Sequence, residues 1–385
     1  MADMYRKRLF SPPKSSFFLF GPRGTGKTQW LSHQFESAHV RFDFLDEDLL
    51  LRFLSEPASF SRALDQVPPS KWVVLDEIQK APQLLSYVHK AIEERKLKFV
   101  LCGSSARQLK RKGVNLLGGR ASERYFHPFL PQELKESFDL TKNLEVGSLP
   151  LVWNAEDPVE RLKAYVQVYI RQEIQAEAAV RRLPSFIRFL PVVALFHGQT
   201  LSASSLARDS GVARTTIHGY LDVLMQTLMI FQLEAFTARL RVKEVKHPKL
   251  YWFDSGVVRA LKKNFGLVHP EERGALFEGW VAQTLRATHD YLGLYDDWFY
   301  WSTHSGGGGS VEVDFLLKRG KEWIAIEAKA SQKYKPELLR GLEAIGELKG
   351  IKRRILVYQG DESFRTKNGI EVVTPTRFIE MIGRL

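Results

Sequence analysis

Gly21-Pro22-Arg23-Gly24-Thr25-Gly26-Lys27-Thr28 has the spacing of a phosphate-binding loop. Gly21 and Gly26 free the backbone to turn its N–H groups around a phosphate. Lys27 brings a positive charge to the β and γ phosphates of ATP, and the Thr28 hydroxyl suits Mg²⁺. Asp76 and Glu77 end the apolar run Trp72-Val73-Val74-Leu75. An acid there can hold Mg²⁺ beside the loop, and that acid is Asp76. Glu77, next along, is placed to orient and activate an attacking water. A third apolar run, Phe99-Val100-Leu101-Cys102, reaches Ser104 and Ser105. A hydroxyl there can sit between the γ-phosphate and the water. The two serines are equal by spacing, and Ser104 is favoured as nearer the strand.

A second set lies near the C-terminus. Val311-Glu312-Val313-Asp314-Phe315 and Ile324-Ala325-Ile326-Glu327-Ala328-Lys329 flank a polar turn and read as a hairpin. Side chains alternate along a strand, so Glu327 and Lys329 share a face. Asp314, Glu327 and Lys329 meeting there could hold Mg²⁺ or Mn²⁺ and activate a water against a phosphodiester. Glu278, in a predicted helix over 275–287, could complete the ligand set.

These groups must be positioned by ordered elements. Residues 1–130 alternate strands and helices, which predicts a parallel α/β sheet with strands near 17–21, 40–45, 72–77, 98–104 and 121–127. Arg120 precedes the last of these. An arginine at that rim can reach a neighbouring subunit's nucleotide as a finger; Arg107 and Arg124 are its rivals. Residues 131–182 read as a helical lid or linker, with Leu162, Tyr165, Val166, Tyr169 and Ile170 on one stripe. Residues 202–224 read helix, turn at Gly211, helix, and two strand-like runs follow at 229–236 and 248–254. That is a winged helix-turn-helix over 183–263. Its basic wing encloses Arg239, Arg241, Lys243, Lys246 and Lys249, and its second helix starts at Arg214 and Thr215. This region holds eleven Lys/Arg against five Asp/Glu. Phosphates of duplex DNA are the expected partner.

The chain of 385 residues carries a net charge of +12. Such a balance favours a polyanionic partner. Cys102 is its one cysteine, so intrachain disulfides and cysteine metal sites are excluded, which fits the reducing cytoplasm. No apolar run reaches the length of a membrane span, so no membrane partner is expected.

The loop, acidic strand end and polar strand end resemble those of the AAA-type ATPases, and the Asp314, Glu327-x-Lys329 hairpin resembles that of the restriction-endonuclease-like nucleases. The whole order resembles a bacterial and archaeal family of AAA-type ATPases with a winged helix and a C-terminal nuclease-like domain over 264–385. Phe253-Asp254-Ser255-Gly256 also looks typical of that family. The resemblance implies ATP hydrolysis with Mg²⁺ and a ring or helical homo-oligomer such as a hexamer. It also implies a metal-dependent nuclease-like centre acting on DNA. The alternative is a nucleotide-switched scaffold that binds protein or RNA, with a silent nuclease-like domain.

Overall fold

Phe17–Phe20 (β1) is wholly buried, as a strand covered on both faces must be. Beside it in a computed structural model lie His39–Asp43 (β2), Trp72–Asp76 (β3), Lys98–Gly103 (β4) and Ser122–Tyr125 (β5). The structure describes residues 5–36, 39–103, 117–170, 183–236, 247–303 and 311–385. The five strands form one parallel sheet in the order β2-β3-β4-β1-β5. Lys27–Phe35 (α1), Glu47–Ser55 (α2), Pro57–Asp65 (α3) and Leu85–Arg95 (α4) belong to the same unit. Phe53, Phe60 and Val88 pack on one side with Phe18 and Phe20, while Trp30 and Phe35 pack on the other with Phe17 and Leu19. Alternate strand residues thus serve opposite faces. The parallel arrangement places every strand's C-terminal end, and with it the phosphate loop and Asp76, along one edge.

The segment expected as a lid or linker contains Leu140–Val146 (α5), Pro150–Trp153 (α6) and Pro158–Ala164 (α7), followed by a π-helical turn over Tyr165–Ile170. Asp139 and Asp157 cap α5 and α7 by accepting from the Lys142 and Glu160 amides, and proline opens α6 and α7. Leu162 and Tyr165 of the predicted stripe are buried.

Beyond the lid come Leu183–Leu195 (α8), Gln199–Thr200 (β6), Ala203–Ser210 (α9), Arg214–Gln226 (α10), Ile230–Leu233 (β7) and Lys249–Trp252 (β8). Ser202 caps α9, and Gly211 ends it at a φ of 64°. The three strands form an antiparallel sheet, β6-β8-β7. Ser255–Leu261 (α11) and the long Pro270–Leu292 (α12) lead into the C-terminal sheet.

That sheet comprises Asp297–Thr303 (β9), Val311–Arg319 (β10), Glu322–Lys329 (β11), Ile351–Tyr358 (β12), Phe364–Arg365 (β13) and Glu371–Val373 (β14). Its order is β13-β14-β12-β11-β10-β9. The hairpin β10–β11 is antiparallel and β11–β12 parallel. One face, with Phe315, Ile326 and Ile355, packs with Trp280 and Leu285 of α12 and with Phe378 of Pro375–Ile382 (α14). The other, with Val313, Leu316 and Leu356, packs with Leu342 of Arg340–Ala344 (α13). A single hydrophobic core runs from Leu149 and Tyr165 of the lid, through Phe189, Leu224 and Trp252, to Trp280 and Phe378. Lid, helix pair and C-terminal sheet are therefore packed as one mass.

Contacts between α12 and the segment after β5 help tie this mass to the five-stranded sheet. His127, just past β5, meets Asp290 of α12 at 2.6 Å, and its backbone amide donates to the Tyr291 hydroxyl at 2.9 Å. The Phe253-Asp254-Ser255-Gly256 stretch has a structural account. Asp254 caps α11 and also accepts from the Ser148 amide at 2.7 Å, next to the lid residues that touch the loop. Burial pushes its carboxyl up to about 6, against the backbone amides that favour its ionised form.

Candidate functional site

The loop leaves β1 at Gly21, where a Cβ would lie 2.3 Å from the Phe126 carbonyl oxygen. Only glycine fits so close to the neighbouring strand. Gly26 stands at a φ of 85°, again a glycine conformation, and starts α1. Lys27 donates from Nζ to the Gly21 and Pro22 carbonyls at 2.6 and 3.1 Å. The Thr28 hydroxyl donates to Asp76 Oδ2 at 3.3 Å. Arg23, Gly24, Thr28, Asp76 and Glu77 share with Pro150 and Leu151 the lining of a cavity of about 660 Å³. The segment expected as a lid also contacts the loop: the Leu151 amide donates to the Gly24 carbonyl at 3.4 Å, and Tyr165 Oη to the Arg23 carbonyl at 3.1 Å.

Thr28 and Asp76 offer two hard oxygens beside that cavity. Mg²⁺ keeps several waters and takes few protein ligands, so this donor pair fits it. Glu77 follows at a φ of 56°, a left-handed conformation rare outside glycine. Its carboxylate accepts from Gln79 Nε2. Sequence reasoning missed Gln79 and also Arg41, whose guanidinium meets Asp76 at 2.8 Å and Asp43 at 3.0 Å. The sheet order was the missing signal, since it sets β2 beside β3. Arg8 was missed too. It is buried, pairs with Glu133 at 2.9 Å and donates to the Thr25 carbonyl at 2.8 Å, bracing the loop from behind.

Ser104, Ser105 and Arg107 lie outside the described residues, as do Arg239, Arg241, Lys243 and Lys246 of the expected wing. Arg120 precedes β5, which runs parallel to β1, so it stands at the edge of the sheet opposite its own phosphate loop. There it forms an ion pair with Glu93. Arg124, on β5, donates to the Glu123 carbonyl at 3.1 Å. Arg214 and Thr215 are exposed at the start of α10.

The C-terminal hairpin does bring Asp314, Glu327 and Lys329 together. The β9 register shifts between Val313 and Leu316, a bulge that re-aims the intervening residues. Asp314 Oδ2 accepts from the Ala328 amide at 3.0 Å, and the Asp314 amide donates to Glu327 Oε2 at 3.3 Å. Lys329 Nζ contacts Glu327 Oε1 at 2.5 Å and lies 3.9 Å from Asp314. Glu278 reaches the same centre from α12.

One residue sits there unexpectedly. Lys249, expected among the basic residues of the wing, is buried at 3% exposure on β8. Its Nζ lies 2.8 Å from Glu278 and 3.0 Å from Asp314, and it also pairs with Glu312. It faces carboxylates rather than solvent, because Tyr251 and Lys249, two apart on β8, share the face turned toward α12. Tyr251 Oη donates to Glu278 Oε1 at 2.6 Å. Burial, then the nearby Asp314 charge, pushes Glu278 up to about 7 and Glu327 up to about 8. Burial opposes ionisation of Asp314 as well, but Lys249 and Lys329 outweigh it and hold that carboxyl below its usual range.

This donor set does not fit a divalent cation as placed. The inner oxygens of Glu278, Asp314 and Glu327 are already in contact with ammonium groups. Among the described residues no group of three or more metal-type side chains is arranged to hold an ion.

Comparison with known proteins bears most directly on the first unit. Residues 13–135 match the family model described as an AAA domain. Residues 137–267 and 273–378 match two models described as domains of unknown function, DUF8612 and DUF4143. The chain is similar to an uncharacterized protein of Mycobacterium tuberculosis, 26% identical over 92% of this chain and 79% of that one. An uncharacterized protein of Methanocaldococcus jannaschii is 24% identical over 90% of this chain and 82% of its own length. Among solved structures, replication initiator DnaA bound to AMPPCP and single-stranded DNA aligns at a TM-score of 0.28 and 13% identity, covering 55% of this chain and 82% of that one. A Vibrio cholerae protein aligns at 0.24 and 13%, covering 96% of each chain. Among the described residues no helix is long and apolar enough to cross a membrane. With the phosphate loop, the acidic strand end and the five-stranded parallel sheet, the family match makes the N-terminal unit an AAA-type, P-loop ATPase domain.

Proposed function

We propose that the protein is an ATP-hydrolysing, DNA-binding machine. The observation that carries the ATPase reading is the Thr28 hydroxyl 3.3 Å from the Asp76 carboxylate, at the rim of a cavity under the loop. Lys27 and the loop amides bind the phosphates. Mg²⁺, when bound to Thr28 and Asp76, supplies charge neutralisation. Glu77 takes up a proton from water, and Ser104 steadies that water. Arg120 cannot reach its own nucleotide, so it serves a neighbour's in a ring or helical assembly, of which a hexamer is one form. The test is ATP turnover by the wild type, Glu77→Gln and Arg120→Ala, with the assembly state followed by light scattering on an ATP analogue. Full turnover by a strict monomer would overturn the finger.

Duplex DNA is the partner we infer for the helix pair α9–α10 and its wing, which form a winged helix in element order. Its support is the exposed start of α10 at Arg214 and Thr215, together with the basic run from Arg239 to Lys246. DNA-stimulated ATP turnover separates this machine from a slow nucleotide switch, which would respond little.

The C-terminal sheet, with Asp314 and Glu327-x-Lys329 side by side, supports a restriction-endonuclease-like fold. Cleavage with Mg²⁺ or Mn²⁺ needs those carboxylates free, and Lys249 engages them. That contact favours the second reading of this domain, a nuclease-like module that binds and does not cut.

A further inference from the structure

Four carboxylates converge at the head of the C-terminal hairpin: Glu278 from α12, Glu312 and Asp314 from β10, and Glu327 from β11. Lys329 belongs to the same hairpin and its side chain is 38% exposed. Lys249 does not belong to it. It comes from the three-stranded sheet of the helix pair, and its side chain is 4% exposed. Its ammonium lies within 3.0 Å of Glu278 and Asp314, in contact with Glu312, and 5.6 Å from the centre of the Tyr300 ring. An ammonium among carboxylates on one side and an aromatic face on the other has the surroundings expected of a bound cation.

The backbone around Lys249 is fixed. Lys249 pairs across the sheet with Leu233 and Thr200. The Tyr300 hydroxyl donates to the His247 carbonyl at 2.6 Å, and the Leu201 amide to the Pro248 carbonyl at 2.7 Å. Tyr251, on the same face two residues on, addresses the same Glu278 oxygen. The lysine is thus delivered by a held strand, with a neighbour that completes the contact. It is no solvated side chain that drifted to an acidic surface.

We propose that Lys249 is the resident cation of the C-terminal centre: it takes the place between Asp314 and Glu278 that a divalent metal would need, and keeps the folded centre metal-free. The centre so closed is a latent cation site, opened by removing one amine. This inference rests on the geometry of β8 against the hairpin and stands whether or not the phosphate loop hydrolyses ATP.

The test is Mn²⁺ binding to the nucleotide-free, full-length protein, read from the electron paramagnetic resonance signal of free Mn²⁺. Any weak binding at Thr28 and Asp76 is common to all variants and cancels. Wild type and Asp314→Asn should bind Mn²⁺ alike. Lys249→Met, which keeps the bulk of the side chain, should gain one site at least tenfold tighter than any in the wild type. The double variant Lys249→Met/Asp314→Asn should lose it. An Asp314-dependent Mn²⁺ site in the wild type would overturn the proposal, as would a folded Lys249→Met that gains none. Should Lys249→Met fail to fold, by circular dichroism, the comparison of wild type with Asp314→Asn decides alone.

Discussion

At the phosphate loop, Lys27 donates to two backbone carbonyls and borders a cavity of about 660 Å³. At the C-terminal hairpin, Lys249 and Lys329 already meet the carboxylates around them. Both regions set acids beside lysines at motif spacing. They differ in what the lysine touches. A lysine resting on carbonyls gives them up readily to a phosphate, because a neutral acceptor binds it less strongly than an anion does. A lysine buried among carboxylates is held by charge in a poorly screened interior, and no incoming cation can enter without displacing it. Acids and lysines at motif spacing in the sequence therefore stand for one open centre and one closed one.

The comparison breaks first at Lys27. Lys27→Ala should lower ATP turnover by about 10³-fold, the scale of losing one preorganised charge at a reacting phosphate. A phosphate-release assay checks it, and near-normal turnover would show that the open centre is not catalytic. Glu77→Gln should lose about 10²-fold or more, as expected of a missing general base, while an ATP analogue still binds in a fluorescence titration.

Stability should rank the two lysines in the reverse order. Removing one partner of a buried charge cluster costs about 3–5 kcal/mol, so Lys249→Met should lower urea stability by that amount. Lys27→Met removes hydrogen bonds to carbonyls and should cost about 1 kcal/mol. Equal losses in urea unfolding would erase the distinction between open and closed centres.

Acid should loosen the closed side through His197. Its Nδ1 accepts from the Trp252 amide of β8 at 3.1 Å, and burial pushes the imidazole down to about 3. The unfolded imidazole takes a proton near pH 6.5 and the folded one resists it. The stability this provides is complete above pH 6.5 and is lost as pH falls from there toward 3, by about 1.4 kcal/mol per unit. His197→Gln should flatten that part of the urea-midpoint profile. A profile unchanged by the substitution would place the acid sensitivity elsewhere.

The smallest effect is expected at the helix pair. Arg214→Ala should weaken duplex binding at any sequence and reduce the salt slope by about one. Reversing Arg239, Arg241 and Lys243 together should flatten it further. Unchanged binding in a fluorescence-anisotropy titration would move the DNA surface off this unit.

The phosphate loop and its sheet were legible in the sequence, because glycine spacing and fully apolar strands are local signals. The second strand after the helix pair was legible as a strand, but Lys249 on it was not legible as part of the carboxylate centre. Eleven Lys/Arg in that region pointed toward phosphates, and composition cannot tell which one turns inward. Arg41 and Arg8 were hidden for a similar reason. Each meets its partner across the sheet or across more than a hundred residues, as Arg8 does with Glu133.

The sequence by itself determined the residue types at both centres, the order of the units, and the strand alternation that puts Glu327 and Lys329 on one face. Those properties follow from covalent spacing and backbone periodicity, which operate over a few residues. Only the tertiary structure decided that Leu151 meets the phosphate loop, that Arg120 stands on the far edge from that loop, and that Lys249 fills the carboxylate centre. Those outcomes depend on which sheet packs against which helix. That choice is made by the shared core joining Trp252, Trp280 and Phe315, and no single segment carries it.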